Sequence, residues 1–141
     1  MSAMRPFLLL ISAVVLASCG KLYRYERFYD IPMEGWGSDG PLYYSYFNDD
    51  TVSVVDIDMV VVTERLPLDD TLHVFFDINT PDGMVASCDY TLPLNGDPGP
   101  GGEHTVRLVE SARFRRCGNY LMTLRCDGST VNIKAVGVII R

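Results

Sequence analysis

The stretch TVSVVDIDMVVVTERL, residues 51–66, decides the fold class of this chain. Its odd positions form one apolar face: Val55, Ile57, Met59 and Val61. The opposite face carries Asp56 and Asp58, which we interpret as outward charges that discourage pairing at a sheet edge. Side chains that alternate with a period of two indicate a β-strand, because neighbouring residues of a strand point to opposite faces.

Similar alternation recurs on both sides of this stretch. The segments are residues 42–47, 71–79, 84–94, 105–109, 119–126 and 131–140. Turn-forming residues separate several of them, including Pro-Asp-Gly at 81–83 and Asp-Gly at 127–128. Residues 110–116 fit either a helical turn or an irregular edge. Since no segment after residue 30 keeps a helical period, the sequence predicts an all-β single domain, an antiparallel β-sandwich or jelly roll.

The N-terminus predicts export and lipidation. Arg5 precedes a short apolar run at residues 7–16, and Leu-Ala-Ser-Cys follows at 16–19. This pattern is typical of a secretory signal, and the run is shorter than the about 20 residues that a membrane-spanning helix needs. The small residues before Cys19 fit a lipobox, in which the cysteine thiol carries diacylglycerol. An ordinary signal peptide with a chance cysteine, or a cytosolic protein with an apolar start, is the alternative.

These observations divide the chain into three parts. We predict a lipoprotein signal peptide at 1–18, a lipidated Cys19 with its tether at 19–30, and a β-sandwich domain at 31–141. The formal net charge of −6 argues against nucleic acid and anionic lipid headgroups as partners. The predicted location is the cell envelope, attached to a membrane through the N-terminal lipid.

Three cysteines remain for the folded domain: Cys88, Cys117 and Cys126. The last two bracket one predicted strand of about 30 Å, too long for a disulfide whose Cα atoms lie about 4.4–6.8 Å apart. Pairing of Cys88 with either of the others stays open. The alternative is that all three are buried thiols that act as small apolar residues.

The sequence carries few groups suited to catalysis or metal binding. His73 and His104 are the only histidines, and no serine lies in a nucleophile-elbow motif. Paired aspartates such as Asp49 and Asp50 are more typical of solvated turns than of calcium loops. We therefore predict no enzymatic activity, no metal and no small-molecule cofactor.

A cluster of aromatic residues supplies the candidate contact site: Trp36, Tyr43, Tyr44 and Tyr46. Exposed aromatic rings bind partner proteins, and they also stack on sugars. Alternation places Tyr44 and Tyr46 opposite Tyr43 and Phe47, so one of these two faces belongs to the core. Trp36 has a second interpretation, as a ring buried beside the entry loop, which is the Pro- and Gly-containing segment at residues 31–37.

A series of short motifs runs in order along nearly the whole mature chain. They are the lipobox, Tyr25, Ile31-Pro32, Gly35-Trp36, Asp39, the aromatic strand 42–47, Arg65, Pro81-Asp82-Gly83, Gly118 with Tyr120, and Val136-Gly137-Val138. In this order and spacing they resemble the GldH family of gliding-motility lipoproteins. The departures from that family are the three cysteines of the mature domain and the short glycine-rich loop at 95–102.

The resemblance implies a non-enzymatic envelope lipoprotein, a component or accessory of a gliding-motility complex and its linked protein-export apparatus. It implies no catalytic residue. Residues 20–24 carry no acid, whereas surface-displayed lipoproteins of such bacteria often carry an acidic tag there, so we expect a periplasm-facing anchor. The aromatic cluster supports the alternative of a carbohydrate-binding β-sandwich module.

Replacing Cys19 with Ala tests the lipidation. The variant should lose its acyl chains, because the Cys19 thiol is the predicted attachment atom, and metabolic labelling with palmitate should give no signal. A Cys88→Ala variant serves as the control and should keep the label. Full labelling of the Cys19→Ala variant would contradict the assignment.

Overall fold

The computed structural model describes residues 23–37, 40–63, 71–94, 99–127, 129–130 and 132–141. The predicted signal peptide, Cys19, Asp39, Arg65 and residues 95–98 of the glycine-rich loop lie outside these residues. The strands in chain order are β1 (Tyr25–Asp30), β2 (Trp36–Gly37), β3 (Leu42–Asn48), β4 (Val55–Thr63), β5 (Thr71–Asn79), β6 (Val85–Pro93), β7 (Glu103–Ala112), β8 (Gly118–Cys126), β9 (Ser129–Thr130) and β10 (Ile133–Ile140). Among the residues described, no helix is long and apolar enough to cross a bilayer.

Eight of these strands form two four-stranded antiparallel sheets. The first sheet has the order β1-β10-β4-β7 and the second has the order β3-β8-β5-β6, while β2 pairs with β9. The chain passes repeatedly from one sheet to the other, as it does in a jelly roll of two Greek keys. The prediction of an all-β antiparallel sandwich is confirmed.

The core lies between the inward faces of the two sheets. On β4, the odd positions that defined the fold in sequence are all buried: Val55, Ile57, Met59 and Val61. On β3, Tyr44 and Tyr46 point inward while Tyr43 and Phe47 point outward. Alternation therefore assigned the inward face of β4 correctly, and it divided β3 into two faces, of which the face with Tyr44 and Tyr46 is the core face.

Tyrosine hydroxyls join the two sheets across this core. The Tyr44 hydroxyl donates a hydrogen bond to the Val136 carbonyl of β10 at 2.8 Å. On the far side of the sandwich, the Tyr90 hydroxyl of β6 donates to the Leu108 carbonyl of β7. Burial raises the pKa of the Tyr44 hydroxyl far above its ordinary value, so this group is protonated and can donate at neutral pH.

The structure corrects the predicted boundary between tether and domain. Residues 25–30, which we expected in the tether, form β1 and pair with β10 from Tyr25↔Ile140 to Asp30↔Ala135. Tyr25 and Tyr29 account for the difference, because their rings pack edge-on against Tyr46 and Tyr44 at centroid distances of 5.6 and 5.1 Å. The run of polar residues between them hid this strand in the sequence.

The interpretation of Asp56 and Asp58 as edge charges is wrong, because β4 lies between β10 and β7 and is not an edge strand. Asp58 is only 1% exposed. Arg107 Nε and Arg141 Nε lie 2.6 and 2.9 Å from its carboxylate oxygens and cover it. The pattern of alternation showed that the Asp58 side chain points away from the core. It did not show that two arginines from elsewhere in the chain enclose this side chain.

Two further features concern β7 and β10. The ambiguous segment after residue 109 begins as strand, since β7 continues to Ala112. Gly137 of β10 is a site of close approach, because a Cβ there would lie 2.5 Å from ring atoms of Phe28 on β1. A side chain at Gly137 would therefore displace the ring of Phe28.

The structure also answers the question of cysteine pairing. Cys88 and Cys117 are exposed and no disulfide joins them. Cys126 is buried, its thiol donates to the Trp36 carbonyl at 3.0 Å, and burial raises its pKa to about 11. Strand β5 separates Cys88 from Cys126, and two strand spacings of about 4.8 Å each exceed the reach of a disulfide.

The inter-sheet bond of Tyr44 generates a stability prediction. A Tyr44→Phe variant keeps the ring but loses the buried donor, and we expect its free energy of unfolding to fall by about 1 kcal/mol. Tyr43→Phe is the matched control, because its side chain is 54% exposed, and it should leave stability unchanged. Urea unfolding measures both variants, and equal stabilities for the two would contradict a role for this bond.

Candidate binding face

The outer face of the second sheet concentrates the exposed aromatic and charged side chains of β3, β8, β5 and β6. Its register places Tyr43, Thr123, Asp77 and Ser87 in one row across the four strands. The next row on one side contains Arg125, Phe75 and Asp89. The next row on the other side contains Ser45, Leu121, Asn79 and Val85.

An apolar strip runs along the β3 edge of this face. It consists of Tyr43, Leu121 and Phe47, which we call the aromatic strip. Tyr43 and Phe47 are 54% and 63% exposed, although both are large aromatic residues. Leu121 lies opposite Ser45, between the two rings, and diagonal neighbours on adjacent strands are close enough for large side chains to contact. The strip is therefore continuous.

A group of paired charges lies beside the strip on β8, β5 and β6. Arg125 Nη2 lies 3.8 Å from Asp77 Oδ2, and His73 Nε2 lies 3.0 Å from Asp89 Oδ2. Phe75 is enclosed by this group, with the Arg125 guanidinium 5.4 Å from its ring centroid and the His73 ring at 4.8 Å. Exposed pairs of polar side chains such as these contribute little to stability, so their groups are available to a partner.

The structure separates the four aromatic residues proposed from sequence. Trp36 is 2% exposed, and its Nε1 donates to the Gly40 carbonyl at 3.2 Å, which agrees with burial beside the entry loop. Tyr44 and Tyr46 are 0% and 7% exposed. Because these three rings are part of the core, only Tyr43 presents its side chain to a partner.

Sequence reasoning left Phe47 out of the contact set, although the signal was present. Phe47 has the same parity as Tyr43 on β3, and it is the more exposed of the two. Leu121 gave no such signal, because its place in the strip depends on the register of β3 with β8. Local alternation fixes which face a residue occupies, but not which residues of other strands lie beside it.

Both histidines already have hydrogen-bonding partners in the described structure. His73 contacts Asp89 on the outer face, and His104 Nε2 lies 3.1 Å from the Thr63 hydroxyl. The contact between Thr63 and His104 is enclosed, since the two residues are 4% and 8% exposed. A substrate could therefore not reach Thr63 or His104 without displacing the residues around them.

Comparisons with known proteins yield only distant structural likenesses. No protein-family model matches the chain, and no curated protein matches it significantly. A family GH115 4-O-methyl-α-glucuronidase with specificity for decorated arabinogalactans is similar over 88% of this chain and 18% of its own, at 11% identity and a TM-score of 0.49. The structure of infectious bursal disease virus Gx strain is similar over 84% of this chain and 32% of its own, at 9% identity and a TM-score of 0.31. The chain thus spans a fifth to a third of these proteins, and we draw no argument from either.

Proposed function

We propose that this protein is a non-enzymatic, membrane-anchored lipoprotein of the bacterial envelope, and that its aromatic strip binds a partner protein of a gliding-motility or protein-export complex. The observation that carries the proposal is the exposure of Tyr43 and Phe47 on one sheet face, with Leu121 between them. Aromatic residues contribute a large share of the binding energy at protein interfaces. The resemblance of the sequence to GldH lipoproteins supports a gliding-motility or protein-export complex as the one to which the partner belongs.

The surroundings of the strip favour a protein partner. A protein interface has an apolar centre with a polar rim. Here the ion pair of Arg125 with Asp77 and the contact of His73 with Asp89 lie beside the apolar strip. These groups suit exchange with charges on a partner. An apolar strip flanked by such groups therefore resembles one half of an interface.

A carbohydrate-binding module is the second candidate, because Tyr43 lies in one row with Thr123 and Asp77, which offer a ring for stacking and oxygens for sugar hydroxyls. One feature counts against it. Both neighbours of the Phe75 ring, Arg125 and His73, leave little of that ring for a sugar.

The proposed lipid anchor determines how far from the membrane the domain can act. Because β1 begins at Tyr25, five residues separate it from Cys19. Even fully extended, these residues span roughly 20 Å. With a lipidated Cys19, the domain is held close to the bilayer surface, and its partner is itself a membrane protein or a protein bound near the membrane.

A double variant, Tyr43→Ala with Phe47→Ala, tests the proposal in the full-length lipidated protein. Recovery of the partner from crosslinked envelopes, quantified by mass spectrometry, should fall about tenfold or more, which corresponds to a loss of about 1.4 kcal/mol or more. The melting temperature should stay within a few degrees of wild type, because neither ring is buried. Met33→Ala with Val52→Ala is the matched control, since these side chains are 97% and 78% exposed elsewhere.

The two variants separate the candidate functions. Loss of recovery in the strip variant alone supports a protein partner at this face. Unchanged recovery in the strip variant contradicts the proposal. Binding of a purified envelope polysaccharide that the strip variant loses, with no protein recovered by wild type, would replace the protein partner by a glycan.

A further inference from the structure

A cavity lies outside the aromatic strip, between the β5–β6 turn and the loop that joins β7 to β8. Its volume is about 550 Å³, and its lining residues are Thr80, Asp82, Met84, Arg113, Arg115, Arg116 and Tyr120. A volume of this size falls within the range of small-ligand sites. It differs from the rest of this acidic chain because three of its lining residues are arginines.

The charges in the cavity are unbalanced. Arg116 Nε lies 2.9 Å from Asp82 Oδ2, and the Thr80 hydroxyl also donates to the Asp82 carboxylate. These donors lower the pKa of Asp82, the hydrogen bond from Thr80 most of all, so its negative charge persists at neutral pH. Within the described parts of the chain, neither Arg113 nor Arg115 forms an ion pair. Three guanidinium groups therefore face one carboxylate.

The backbone that carries these arginines is fixed from inside the sandwich. The buried Asn48 amide donates to the Phe114 and Arg116 carbonyls at 3.3 and 3.0 Å. The Arg116 amide donates to the Tyr120 hydroxyl at 3.2 Å, and this hydroxyl in turn donates to the Arg116 carbonyl at 3.1 Å. A ligand would thus meet arginines on an already ordered backbone, which lowers the entropy cost of binding.

The side chain of Phe114 reinforces this arrangement. It is 4% exposed and packs between the rings of Tyr46 and Tyr120 at centroid distances of 5.2 and 4.7 Å. Since Phe114 points into the core, its neighbours Arg113 and Arg115 both point outward. Arg113 and Arg115 are both exposed, and both line the cavity.

We propose that this cavity, defined by Arg113, Arg115 and Arg116, is a binding site for a phosphate group. A guanidinium group binds oxyanions through two parallel hydrogen bonds. A single carboxylate is satisfied by one such fork, whereas a phosphate has oxygens for several, and its negative charge is opposite in sign to the local excess of positive charge. This site is separate from the aromatic strip and does not depend on the function proposed for it.

The phosphate has two sources that the position of the cavity allows. Asp50 lies two residues after Asn48, which holds the arginine loop. Its Oδ2 lies 2.9 Å from Nη1 of Arg24, the residue before β1. The cavity therefore lies at the end of the sandwich at which the chain enters β1. A phospholipid headgroup is one source at this place, and a soluble phosphorylated molecule is the other.

Thermal unfolding of the full-length protein in neutral detergent tests the site. Trp36, the single tryptophan, is buried and reports unfolding by fluorescence. Inorganic phosphate or glycerol phosphate should raise the melting temperature in a saturable manner, because a ligand of the folded state stabilises it. Chloride at matched ionic strength should not. In the Arg113→Gln with Arg115→Gln variant the dissociation constant should rise at least about tenfold.

The control variant is Arg27→Gln with Lys134→Gln, which removes two exposed positive charges from the other sheet and should bind as wild type does. Nanodiscs distinguish the sources. If discs with phosphatidylglycerol raise the melting temperature above discs of phosphatidylcholine, and the arginine variant loses this rise, the ligand is a headgroup. A rise with soluble phosphate alone identifies a soluble ligand. No rise in any of these experiments, or a rise that the arginine variant keeps, would overturn the proposal.

Discussion

The packing of tyrosine side chains between the two sheets constrains most of what this domain can do. On the β1 and β3 side, the Tyr44 hydroxyl reaches the Val136 carbonyl, while Tyr29 packs on Tyr44 and donates to the Tyr43 carbonyl at 2.6 Å. These contacts fix the inward face of β3. Because side chains alternate along a strand, the same contacts oblige Tyr43 and Phe47 to face solvent. The exposed strip is thus a geometric consequence of how the core is closed.

The same aromatic layer continues along β3 to its C-terminal end and supports the second site. Tyr46 contacts Phe114, and Phe114 contacts Tyr120, so the core of the sandwich holds the loop that carries the three arginines. Asn48 completes this support with its two hydrogen bonds to the loop. The strip and the arginine cavity therefore lie on one rigid framework, although they differ in chemistry and are suited to different ligands.

The sequence predicted those features that depend on local alternation. It identified the apolar face of β4, the two faces of β3 and the sandwich class, because each follows from a period of two along a single segment. It missed β1, whose polar residues Glu26 and Arg27 are exposed and whose pairing with β10 spans the length of the domain. It also missed the enclosure of Asp58, since Arg107 and Arg141 reach it from β7 and the C-terminus.

In the candidate sites, too, the features that follow from local alternation were predictable, and those that depend on distant segments were not. Tyr43 and Phe47 have the same parity on one strand, so their common face was predictable, whereas the place of Leu121 between them depends on strand register. The arginines were visible in the sequence as a group at 113–116. Their relation to Thr80 and Asp82 was not, because two loops far apart in the chain form that cavity.

Site-specific photo-crosslinking in living cells tests the central claim most directly. A photoreactive amino acid would replace Phe47 in the full-length protein, with Thr105, an exposed residue on the outer face of the first sheet, as the control position. If this face binds a partner, position 47 should give a discrete crosslinked product with an envelope protein, and position 105 should give none. Products of equal yield from both positions, or none from position 47, would contradict a binding role for this face.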